Sequence, residues 1–174
     1  MLSLGNLADT RVITTTIWAT EDARAASGMN RAVIDNVADF GPFVVGSFSR
    51  DQYEVLTDTW QLDGGAGDGS HGVARVTTTQ LRPGGRDAGV ALVREITDRP
   101  AGDPERFRGS LALADQITVK VLALEVWDRR ATLAAYDSSV FLHDRIEREH
   151  HVRADAPVHA IYRVAALMRA DVEP

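Results

Sequence analysis

The chain of 174 residues has no cysteine, a single lysine, no basic cluster on any predicted helix and no apolar stretch near the ~20 residues of a membrane-spanning helix. Without cysteine, thiol catalysis, thiolate metal sites and disulfide staples are excluded together, while the compartment is left open. Without a basic cluster, and with a net charge of −6, the electrostatic footprint of phosphate neutralisation is missing and nucleic acid is not an expected partner. Residues Met1 to Asp9 lack the basic start and long apolar run of a leader, so the expected location is cytoplasmic and no membrane partner is expected. The scarcity of lysine leaves 18 arginines as nearly the whole basic complement. A guanidinium holds planar carboxylates or phenolates by geometry as well as charge, although GC-rich codon usage accounts for the bias equally well.

What is present is ordinary for a globular chain: 44% apolar and 25% charged residues. These values argue against long disorder, and the length allows a sizeable core in one compact unit. Only the tails and one Gly-rich loop read as loose.

The most informative feature is an internal repeat. Arg11-Val12-Ile13-Thr14-Thr15-Thr16 returns as Arg75-Val76-Thr77-Thr78-Thr79. Gly46-Ser47 with Asp51-Gln52 returns as Gly109-Ser110 with Asp115-Gln116, and Val55-Leu56 before Trp60 returns as Val121-Leu122 before Trp127. Order and offset are kept throughout.

Each copy opens with a β-branched run, Arg11 to Trp18 or Val73 to Leu81, suited to a half-buried strand. A helix follows Thr20, a plausible N-cap, with apolar positions at Ala26, Met29, Val33, Val37 and Phe40 before Gly41-Pro42. The second copy has a shorter helix after Gly84-Gly85, ending before Pro100. Two strands come next, Phe43 to Ser49 and Tyr53 to Gln61, matched by Ser110 to Ala114 and Thr118 to Trp127. Residues 63–72 then form a Gly-rich link. After Trp127 the second copy continues into a helical stretch from Arg129 to about Val152, interrupted near Ser138-Ser139, and ends in a strand from Val158 to Leu167. The expected organisation is therefore a truncated first repeat over residues 10–62 and a complete second repeat over residues 73–168. The fold is tandem ferredoxin-like α+β, βαββ plus βαββαβ, with antiparallel sheets packed as a pseudo-dimeric α/β barrel. Homodimerisation is also expected, to cover an edge left by the truncated copy.

The apolar strand Val119 to Val126, the Trp127-Asp128 pair at its end, the helix carrying Ser138-Ser139-Val140-Phe141 and the closing strand resemble an antibiotic biosynthesis monooxygenase domain of the dimeric α/β-barrel superfamily. The first copy resembles the front half of that domain. The resemblance implies a pocket between sheet and helices and an oxygenase that needs neither metal nor flavin, with dioxygen as co-substrate and an aromatic polyketide as substrate. A ring-opening variant would take reduced flavin from a partner. A polyketide cyclase and a non-catalytic binding or assembly protein remain alternatives, because fold alone fixes no reaction. The haem-degrading branch is not matched, since Val73 to Leu81 has no Asn and the following helix offers Tyr136 in place of Trp.

Within such a pocket Trp127 is a candidate wall whose indole N–H donates to a substrate oxygen, as against a core anchor. Trp60 is its counterpart. Tyr136 is a candidate donor from the next helix, and His143 the candidate general base, as against a solvated histidine. His159 and Arg163 share one face of the last strand and would bind a phenolate or carboxylate if turned inward, although the small apolar residues of the other face suit a core better. Asn30, with Asn36, is a candidate polar residue on the first helix. His143, Glu147 and His150 or His151 lie at helical spacing but match no metal-ligand signature, so no metal is expected. Gly64 to Gly69 and Gly84-Gly85 lack nucleotide-binding spacing, and no serine sits in a nucleophile elbow.

Overall fold

The computed structural model describes residues 2–6, 11–28, 51–59, 72–97, 107–115 and 117–167. Residues 1–15 with 52–174 form one compact unit and residues 16–51 a second. In the second, helix α1 (Glu21–Gly28) starts as its sequence suggests. The Ala23 amide donates to the Thr20 hydroxyl at 3.1 Å, satisfying one of the amides that a helix start leaves open. The rest of the first predicted helix, the strand from Phe43 to Ser49, the Gly-rich link up to His71, and Asn30, Asn36 and Trp60 lie outside the described residues.

The larger unit is built on one sheet of seven strands: β1 (Leu2–Asn6), β2 (Val12–Thr15), β3 (Tyr53–Asp58), β4 (Val73–Gln80), β5 (Phe107–Asp115), β6 (Lys120–Trp127) and β7 (Val158–Leu167). The spatial order is β2-β1-β7-β4-β6-β5-β3, and every pairing is antiparallel. Its helices are α2 (Arg86–Thr97), α3 (Arg130–Asp137) and α4 (Val140–Glu149). From Val73 onward the elements run β4-α2-β5-β6-α3-α4-β7, the expected βαββαβ order with its second helix divided in two, and the α+β fold class read from the sequence is the one observed.

Side-chain alternation splits the sheet into two unlike faces. One face gathers Leu4, Ala74, Val76, Leu111, Leu113, Leu124, Val126, Tyr162 and Val164 into an apolar core. The other is covered by helices. Val93 of α2 packs with Leu81, Ala112 and Val121, while Leu133 and Tyr136 of α3 pack with Phe107 and Trp127. Strand β6 is therefore buried on both sides, which is why its sequence, Lys-Val-Leu-Ala-Leu-Glu-Val-Trp, is nearly continuous in apolar residues rather than alternating.

Strand β1 differs from the expectation of a loose N-terminal tail. It is hydrogen-bonded on both sides, to β2 and to β7, and Leu4 is fully buried. Five residues with a glycine among them carry too short a pattern to register as a strand, and the partners on either side supply what the local sequence does not. Strand β1 pairs antiparallel with β2 as β7 does with β4, and β1 and β7 pair with one another.

Candidate functional site

The helix-covered face carries an unusual mixture of aromatic and charged side chains. In the register of β4 against β6, Arg75 lies opposite Glu125 and Val73 opposite Trp127. Against β7, Thr77 lies opposite His159 and Arg75 opposite Ile161. Period-two alternation places all of these on one face, under α3 and α4.

Trp127 ends β6 and is 1% exposed. Its ring meets Phe107 edge-on at 5.0 Å and Tyr136 at 4.9 Å between centroids. Gly72 lies against its backbone with φ of 76°, and a Cβ there would run into the Trp127 carbonyl oxygen. Only glycine combines that conformation with that approach.

Tyr136 reaches the same layer from the last turn of α3. The chain then breaks at Ser138-Ser139: Ser139 is extended (φ −81°, ψ 150°), its hydroxyl donates to the Tyr136 carbonyl at 2.6 Å, and it accepts from the Leu142 amide at 3.2 Å, capping α4. The break brings Phe141 to 6.0 Å from the Tyr136 ring. Tyr136 is 5% exposed.

Neither the Trp127 indole N–H nor the Tyr136 hydroxyl has a hydrogen-bond partner among the described residues, though both are buried. Arg145 and Arg75 favour ionisation of the Tyr136 hydroxyl, Arg145 by its charge and as a donor toward the oxygen, and no acceptor for the Tyr136 proton is found among the described residues. Each orphaned group costs on the order of 1–3 kcal/mol, and two in direct ring contact are not explained by packing alone. Burial, followed by the Glu125 charge, pushes the Tyr136 hydroxyl above its ordinary pKa, so it stays a protonated donor.

Beside these rings lies a buried ion network. Arg75 Nε and Nη2 donate to Glu125 Oε2 at 2.9 and 2.5 Å, and Nη1 donates to Asp137. Arg145 Nη1 donates to Glu125 Oε1 at 2.6 Å and Nε to Glu149 Oε1 at 2.9 Å. Arg75, Glu125, Arg145 and Glu149 are all buried. Desolvation alone would raise the Glu125 carboxyl, but Arg145 and Arg75 outweigh it and hold the group below the usual carboxylate range. Desolvation opposes the charge of Arg145 too, and Glu125 and Glu149 overcome it and keep the guanidinium protonated. The Arg75 Cζ also stands 4.9 Å from the Tyr136 ring centroid, a cation–π contact joining the network to the aromatic layer.

His159 lies at the rim. It is exposed, and its Nδ1 is 3.0 Å from the Thr77 hydroxyl. Partial desolvation and then the Arg75 charge hold its imidazole below the ordinary value, favouring the neutral form.

Of the residues singled out from the sequence, the fold brings together Trp127 and Tyr136, with His159 beside the network. His143 is not among them: it is exposed on α4, with Nδ1 2.9 Å from the Ser139 carbonyl of its own first turn. Arg163 is exposed and joins none of the contacts described for the network. Arg75, Glu125, Arg145 and Glu149 escaped sequence reasoning. Their signal was a lone acid inside the apolar run of β6 and a lone base in the β-branched run of β4, since a charge amid apolar strand residues is either edge-exposed or paired.

No family model and no curated protein matches the chain. Among solved structures it is similar to a protein from Fusobacterium nucleatum provisionally named a monooxygenase, with a TM-score of 0.76 and 15% identity over 95% of this chain and 75% of that one. A similarly named protein from Lactobacillus acidophilus gives a TM-score of 0.73 at 8% identity, over 95% and 76% of the two chains. An anthrone oxidase-like protein gives 0.66 at 15% identity, again over 95% and 76%. At these identities the likeness is one of architecture, and this chain has the α+β fold of those proteins.

Proposed function

We propose that the protein is an oxygenase acting on an aromatic polyketide, oxidising an anthrone or phenol to a quinone with dioxygen and no bound cofactor. The observation that carries this reading is the pair of buried, unpartnered donors, the Trp127 N–H and the Tyr136 O–H, set in an aromatic layer. Two such donors suit one acceptor, the carbonyl or phenolic oxygen of a flat aromatic ring, and the walls of Phe107, Phe141 and Leu133 suit the ring itself. The anthrone oxidase-like and monooxygenase-named structures sharing the fold raise the prior for this chemistry by analogy.

In this reading the substrate supplies the electrons. Loss of one proton from the anthrone methylene gives an enolate whose oxygen is stabilised by Trp127 and Tyr136. The enolate reduces dioxygen, and the two combine at the methylene carbon as a peroxide. Loss of the second hydrogen as a proton, with cleavage of the O–O bond, leaves a carbonyl and releases water, so one dioxygen is consumed for each quinone and water formed. His159, beside the ion network, is the proton acceptor in this reading: with its Nδ1–H donating to Thr77, Nε2 is left free as a base, and the lowered pKa favours the neutral form. Both donor atoms are shut off from solvent.

That closure favours a second reading, a ligand-binding protein without turnover. Oxygen consumption separates the two. With 9-anthrone in air the oxygenase reading expects protein-dependent oxygen uptake matching quinone formation one to one, abolished by anaerobic conditions. Anthrone binding without uptake would leave the binding protein.

A further inference from the structure

We propose that Arg145 is a positioning residue: held between Glu125 and Glu149 beside the Tyr136 oxygen, it turns the Tyr136 proton away from the ion network and onto the ligand oxygen. This rests on the two-donor reading above and adds the residue that aims one of the two donors.

A phenol hydroxyl swings about its C–O bond and gives its proton to the best acceptor in reach. Near Tyr136 is such an acceptor, the buried carboxylate of Glu125, whose charge is felt at the hydroxyl. Yet the hydroxyl makes no hydrogen bond to it. The carboxylate is already engaged on both oxygens: Oε2 accepts from Arg75 Nε and Nη2, and Oε1 accepts from Arg145 Nη1 at 2.6 Å. Arg145 Nε is tied in turn to Glu149 Oε1 at 2.9 Å, one turn along the same helix, so the guanidinium is fixed from two sides. It is also a donor toward the Tyr136 oxygen. A cation on that side repels the hydroxyl proton, and Arg75, 4.9 Å from the ring centroid, closes the ring face in the same way. The proton is left to point away from both cations, where a ligand oxygen can accept it. Without Arg145, Glu125 Oε1 is open to the Tyr136 proton, and the ligand loses that donor.

Infrared difference spectra of bound 2-(hydroxymethyl)anthraquinone, a quinone that does not turn over, test the assignment through the carbonyl stretch, which falls as the oxygen accepts hydrogen bonds. Tyr136→Phe is expected to reverse part of the fall and to weaken binding about 10-fold. Arg145→Met combined with Glu149→Gln, which removes the neighbouring negative charge along with the guanidinium, is expected to reverse the same part. Adding Tyr136→Phe to that pair is expected to change nothing further. In the wild type, where the network is intact, the Tyr136 hydroxyl proton, identified by its loss in Tyr136→Phe, is expected to move downfield in the proton NMR spectrum as the quinone is added. Independent effects of the changes at Tyr136 and Arg145, a stretch that the Arg145 variant leaves alone, or a hydroxyl proton that stays still overturns the proposal. Coupling between the two residues without oxygen uptake on 9-anthrone supports the positioning role while sinking the oxygenase reading. Oxygen uptake without coupling does the reverse.

Discussion

The Arg75 guanidinium stands 4.9 Å from the centre of the Tyr136 ring while its Nε and Nη2 are hydrogen-bonded to Glu125. One side chain therefore ties the ion network to the aromatic layer, and the ring and hydroxyl of Tyr136 have separable roles. Tyr136→Phe keeps the ring and the cation–π contact and removes an orphaned hydroxyl. Its expected outcome is unchanged or higher stability, by up to about 1–3 kcal/mol, with kcat for anthrone oxidation lowered about 10²-fold or more. Urea denaturation and steady-state kinetics on the same preparation check both halves.

Glu125 receives hydrogen bonds from both arginines, so Glu125→Ala leaves two buried guanidiniums short of their shared partner. The expected loss is about 3–5 kcal/mol, the range for breaking a buried ion pair from one side. A loss below about 1 kcal/mol in denaturant titration would mean that the network is solvated in solution.

Much of this fold was legible in the chain because β-branched runs such as Val73 to Gln80 and the apolar run ending at Trp127 carry their strand signal locally. The Ser138-Ser139 break was equally legible, since serine caps a helix by a local hydrogen bond that needs no distant partner. Strand β1 was not, because its case rests on β2 and β7 rather than on its own five residues. The site divided in the same way. Trp127 and Tyr136 stand out as residue types, whereas the pairing of Arg75 with Glu125 depends on strand register, and that of Glu125 with Arg145 on how α4 lies across the sheet. His143 looked favourable by spacing, yet its place on the outer face of α4 is set by which side of the helix packs down, and Arg145 and Glu149 occupy that side.

His159 gives a pH-dependent signature. Its folded pKa is depressed, so the unfolded chain binds more protons as pH falls through the ordinary imidazole value of about 6.5. The stability it contributes is full above that value and declines below it, until the pH reaches the folded pKa. His159→Gln is expected to flatten this part of the stability profile, read as the denaturation midpoint between pH 5 and 8. An unchanged slope would show that the ring is as solvated folded as unfolded.

Gly72 combines a positive φ with close approach to the Trp127 carbonyl. Gly72→Ala is expected to cost about 3 kcal/mol, from a left-handed conformation and a backbone clash together. It should also disturb the near-ultraviolet circular dichroism of the aromatic layer, where a surface substitution such as Asp87→Asn leaves the spectrum unchanged.

The claim on which the rest depends is that the Trp127 N–H receives a ligand oxygen. Nitrogen-15 correlation spectra of the three indole N–H groups, with Trp127 assigned by Trp127→Phe, read it directly as 2-(hydroxymethyl)anthraquinone is added. The account predicts a saturable downfield shift of the Trp127 indole proton as it gains a hydrogen bond, lost in the variant. A Trp127 resonance that stays still at ligand saturation would contradict it.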